Sequence, residues 1–131
     1  MAYRQVSIAV TAFLLMAAAP VGKIAQAATA EQFQVRTTAD YVAVCTTSPN
    51  DDTYQAAIAF CHGFAVGAYQ YYAAVAEVSS QDRYVCLPDP PPSRVTALTE
   101  FVTWVKGNPQ YMQDRPVDSI FHFLKTRYPC S

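Results

Sequence analysis

Apolar residues recur along this chain at alternating steps of three and four, and no stretch alternates at every second position in the manner of a strand. That pattern predicts helices and no sheet. The longest runs from Thr53 to Val78, where Tyr54, Ile58, Cys61, Ala65, Ala68, Tyr72 and Val75 share one face. Gly63 and Gly67 sit four apart beside that face. Each glycine costs a helix roughly 1 kcal/mol relative to alanine, so the pair predicts a helix-packing site where a second backbone comes close. A short first helix is expected over Tyr41, Val42, Val44 and Cys45, with Thr37 or Thr38 as its N-cap. The loop Thr46 to Asp52 follows, and its Asp51 or Asp52 suits the start of the long helix.

Beyond Val78 the chain reads SSQDRYVCLPDPPPS, with four prolines between Pro88 and Pro92. Proline lacks an amide donor, so this is an extended connector. Ser93 is a natural cap for a third helix with a stripe of Val95, Leu98, Phe101, Val102 and Val105. Gly107-Asn108-Pro109 stops it. Pro116 opens a fourth helix whose apolar face holds Val117, Ile120, Phe121, Leu124 and Tyr128, and Pro129 ends it. Ala28 to Gln34 is polar and is expected to be loosely ordered. The expected fold is all-α: a small disulfide-stapled bundle of about four main helices.

The first 27 residues change the picture of where this bundle lives. Arg4 provides a positive start, Val6 to Ala19 an apolar run, and Ala25-Gln26-Ala27 an A-x-A cleavage site. The run is too short to span a bilayer comfortably, which needs about 20 residues. Residues 1–27 therefore read as a cleaved signal peptide and residues 28–131 as a single exported domain. Arg4 and Lys23 fall in the leader, so the domain holds seven basic against ten acidic residues, a net of −3. With no basic patch, nucleic acid is not an expected partner, nor is a membrane after cleavage. All four cysteines, Cys45, Cys61, Cys86 and Cys130, lie in the exported part. An even count in a short secreted chain reads as two disulfides. Three connectivities are open, of which Cys45–Cys61 with Cys86–Cys130 is favoured because it staples neighbouring segments.

Candidate chemistry is sparse. Cys61-His62 lacks the preceding cysteine of a haem-attachment motif, and the cysteines are too far apart for a zinc site, so no metal or cofactor is expected. A Cys61 nucleophile paired with His62 or His122 requires a free thiol, which a disulfide removes. The carboxylates are scattered, and no phosphate-cradling loop or Ser-centred triad appears. An enzyme is not expected. Tyrosine, by contrast, is in surplus. Tyr69, Tyr71 and Tyr72 cannot all face one core at 100° per residue, and surface tyrosines favour interfaces.

The ordered local contexts of the cysteines resemble a known family. A short helix ends in Cys45-Thr46, and the long helix carries Cys61-His62-Gly63-Phe64-Ala65-Val66-Gly67. Then come Val85-Cys86-Leu87-Pro88, the turn Asn108-Pro109, Arg115-Pro116 and the terminal Tyr128-Pro129-Cys130. This set looks like the Rap/Tai immunity proteins of type VI secretion systems, over about Asp40 to Cys130. The resemblance implies a periplasmic helical protein that binds a peptidoglycan amidase toxin and occludes its active site, in some relatives as a homodimer. The family pattern has no catalytic residues to carry over, and Pro88 to Ser93 is richer in proline than that pattern. A periplasmic stress chaperone, or an orphan structural binding protein with no toxin, is the alternative. For an inhibitor, the expected partner-binding residues are Asp51, Asp52, Tyr69, Tyr71, Asp89 and Arg94.

Overall fold

Helices in this protein begin where a side chain or proline deals with the amides that have no partner in the first turn. The computed structural model describes residues 27–79 and 83–131; the expected signal peptide, up to residue 26, lies outside them. Helix α1 spans Thr38–Cys45 and opens with a capping box: Thr37 accepts from the Asp40 amide while the Asp40 carboxylate accepts from the Thr37 amide. Helix α2 spans Tyr54–Val78, α3 spans Arg94–Lys106 and α4 spans Pro116–Arg127. Ser93 caps α3 by accepting from the Thr96 amide, and Pro116 stands at the start of α4. Short 3₁₀ turns occupy Gln32–Gln34 and Pro109–Tyr111. Among the described residues the sole sheet-like pairing is an isolated bridge between Val85 and Pro129.

The short α1 lies in the middle of the bundle and contacts all three other helices. Its Tyr41 and Val44 are fully buried, against Phe64, Phe101 and the wall made by Ile120, Phe123 and Leu124. The Tyr41 hydroxyl donates to the Cys61 carbonyl at 2.8 Å, which locks α1 to mid-α2. The same junction carries the Cys45–Cys61 disulfide, with Cα atoms 5.5 Å apart. At the other end of α1, Thr38 is buried and donates both its amide and its hydroxyl towards the Asp114 carbonyl. Its oxygen also sits 2.7 Å from the Ser119 hydroxyl on α4. The loop before α4 thus takes up amides that α1 itself leaves unpaired.

Two features pin the proline-rich connector. Cys86 is bonded to Cys130, with Cα atoms 4.9 Å apart, and the Cys86 amide donates to the Tyr128 carbonyl. Tyr72 then reaches from α2 and accepts, with one phenolic oxygen, the amides of Tyr84 and Val85 at 2.8 Å each. The disulfides pair as favoured from the sequence.

Several expectations need correction. Gly63 and Gly67 are exposed, and a Cβ at either would meet nothing within 4 Å, so they make no close packing inside the chain. The buried stripe of α2 is Ala57, Cys61, Tyr72 and Ala76; Val75 is exposed because it sits on the edge of that face. Val95 is 64% exposed because the first turn of α3 projects past the core, and Val117 is exposed because it faces away from its buried neighbours Pro116 and Ser119. Phe123, absent from the expected stripe of α4, is buried between Phe101 and Trp104. Gly107 ends α3 with a negative φ of −79°, so the glycine is not needed for a left-handed turn. Helix α2 starts from Thr53, while Asp51 accepts from the Thr53 amide and hydroxyl in the turn before it. The segment before α1 is not loose: Phe33 packs edge-on against Phe60, and Val35 turns the chain at φ 43°.

Candidate functional site

Alanines on facing helices open an apolar hollow in the surface. Ala65 and Val66 of α2 oppose Ala97 and Leu98 of α3, and small side chains there leave a cleft of about 170 Å³. Tyr41, Phe101, Ile120, Phe123 and Leu124 form its floor; Leu87 and Pro92 of the connector form one side. The mouth carries His62, Tyr69 and Arg94. Burial raises the Tyr41 phenol well above its ordinary range, and partial burial raises that of Tyr69. No carboxylate lines this cleft among the described residues. Glu100 lies outside it, where it accepts from Tyr128 at 3.1 Å and pairs with Arg127 at 3.3 Å.

The opposite side of α2 is different in kind. Ala56, Gly63, Gly67, Tyr71, Ala74 and Val78 are all exposed. By steps of 100° per residue they fall within an arc of about 80°. Tyr71 is 76% and Val78 91% exposed, and none of the six bears a charge. Phe60 falls in the same arc but is half-buried under Phe33, so the uninterrupted strip runs from Gly63 to Val78, about 22 Å of smooth, uncharged helix surface.

The structure disperses the six expected partner-binding residues. Tyr69 and Arg94 come together at the cleft mouth. Tyr71 points the other way, onto the exposed strip, because two helical steps turn the chain by about 200°. Asp51 and Asp52 stand at the amino-terminal end of α2, roughly 25 Å along the axis from Tyr69. Hydrogen bonds from Thr53 hold the Asp51 carboxyl below its usual range. Asp89 is exposed in the connector. Sequence reasoning named Tyr69 and Arg94 as partner-binding residues but did not see the cleft they line, because Ala65 and Ala97 look like ordinary core fillers.

Cysteine and histidine do no nucleophilic work together here. Both cysteine pairs are oxidised, and His122 packs against Tyr111 with ring centroids 5.0 Å apart. No cluster of metal-binding side chains occurs among the described residues. No described helix is long and apolar enough to cross a membrane.

A family model described as Rap1a immunity proteins matches residues 37–130, which is most of the chain and all four helices. The chain belongs to the Rap1a immunity protein family. No curated protein and no solved structure matches it. As a Rap1a immunity protein it has a protein partner, a toxin, and immunity proteins as a class inhibit by binding rather than by catalysis. Its two disulfides suit an oxidising compartment and, with the family, point to an exported protein.

Proposed function

We propose that this protein is a periplasmic immunity protein that neutralises a type VI secreted peptidoglycan amidase by covering its active site. The match of residues 37–130 to the Rap1a immunity family carries the reading. Supporting it is the uncharged strip of α2, the kind of surface that lies in a partner's groove as a helix face. We place the principal toxin contact there, with Tyr71 as its aromatic anchor. Asp51 and Asp52 extend it at one end of the helix. Tyr69, Asp89 and Arg94 lie off the strip and contribute less.

The oxidised protein is the bait for the test. Secreted and periplasmic fractions of its source are passed over it, and retained proteins are identified by mass spectrometry. One small cell-wall hydrolase, held one-to-one and inhibited in a peptidoglycan-cleavage assay, is the expected result. A blank capture, or a diffuse set of unfolded clients, removes the amidase reading. With the hydrolase in hand, Tyr71→Ala lowers affinity at least tenfold while Asp89→Ala changes it little. Sedimentation of the protein alone separates the remaining occupant. A dimer that Gly67→Leu dissociates would give the strip to a second copy of the chain instead.

A further inference from the structure

The cleft between α2 and α3 lies across the helix from the toxin-facing strip and has chemistry of its own. We propose that it binds a small monoanionic amphiphile: an apolar group of about eight carbons or one aromatic ring, bearing a single carboxylate-type head. The inference is independent of the toxin's identity.

Size sets the first limit. At about 170 Å³ the cleft is close to the cavity of about 150 Å³ that accepts benzene in another protein, and below the usual range for drug-sized ligands. Shape and lining set the second. The floor of Tyr41, Phe101, Ile120, Phe123 and Leu124 is apolar and offers no free hydrogen-bond donor, because the Tyr41 hydroxyl already donates to the Cys61 carbonyl. An unaccompanied polar group would lose its water there without compensation.

Charge decides the head group. Arg94 stands exposed at the mouth and makes no ion pair with a described residue, whereas Arg115 and Arg127 are both paired. A guanidinium presents a planar fork of donors that matches a carboxylate. His62 and Tyr69 line the α2 side of the cleft. With no carboxylate among the described lining residues, a cationic head would find no ion-pair partner and would face the like charge of Arg94. The occupant that satisfies both floor and mouth is apolar at one end and anionic at the other.

Octanoate, octylammonium and 1-octanol test this as matched probes, each titrated into the purified oxidised protein and followed by two-dimensional amide NMR. Octanoate should shift the amides of Ala65, Tyr69, Ala97 and Leu98 and bind at least ten times more tightly than octylammonium. Arg94→Glu, an exposed change in the first turn of α3, should reverse that order and leave octanol binding unchanged. Ala97→Leu should fill the cleft and abolish binding of all three. Equal binding of octanoate and octylammonium, shifts centred away from the cleft, or an Arg94→Glu variant with wild-type preference would each overturn the proposal. Should Ala97→Leu fail to fold, the charge reversal at Arg94 still decides it.

Discussion

Tyr41 shows how much one side chain can settle. Its ring is the hub of the core, touching Phe64 and Phe101, and its hydroxyl donates to α2. Burial raises its ionisation above the ordinary value near 10, so the folded state holds the proton more tightly than the unfolded chain does. The stability this provides is complete below about pH 10 and is lost as the pH rises beyond it. Urea melts between pH 8 and 11.5 should therefore show a steep alkaline decline, and Tyr41→Phe should flatten it. The same variant should cost about 1 kcal/mol at neutral pH through the lost hydrogen bond. Gly63 and Gly67 behave oppositely. Nothing stands within 4 Å of an added Cβ, so each Gly→Ala change should raise stability by about 0.5–1 kcal/mol in thermal melts. Gly67→Leu should fold equally well yet weaken toxin capture, which separates fold from function at one position.

At the scale of elements, helix ends were far easier to read than helix faces. Thr37, Ser93 and Pro116 act where their chemistry says they must, since a cap or a missing amide is a local matter. Which residues lie under another element is not local. Val95 and Val117 fit a stripe by spacing, but the first turn of α3 extends beyond the core and in α4 the buried side of that turn is taken by Pro116 and Ser119. Phe121 and Phe123 both find aromatic partners because α4 is flanked on two sides, by Tyr72 and Tyr84 on one and by Phe101 and Trp104 on the other. A single-stripe reading had room for only one of them. The cleft was illegible for a related reason: two alanines, 32 positions apart in the chain, open it only when α2 and α3 are brought side by side. Among the junctions between elements, the Thr38 cluster is the most exacting. Thr38→Val keeps the shape and the amide bond to Asp114 but deletes the hydroxyl's bonds to Asp114 and Ser119, and should cost about 1–3 kcal/mol in chemical unfolding.

Viewed as a whole molecule, this is a small core held by two covalent ties in different halves. The first joins α1 to α2 across 16 residues, and the second joins the connector to the end of the bundle across 44. Loop-closure reasoning assigns them about 3 and 4 kcal/mol, comparable to the net stability of a domain this size. Replacing Cys86 and Cys130 together by serine should lower urea stability by roughly the second figure. It should also loosen the Tyr72–Val85 contact before α1 and α2 separate, which amide exchange would resolve. The two ties are moreover consecutive along the chain: neither loop encloses or overlaps the other. A polypeptide threaded amino-terminus first into an oxidising compartment presents Cys45 and Cys61 together before Cys86 arrives. Joining each thiol to the next one to emerge gives the native bonds directly. On that order maturation should need an oxidase but no isomerase, and a cell lacking disulfide-shuffling activity is expected to accumulate the protein with its native bonds.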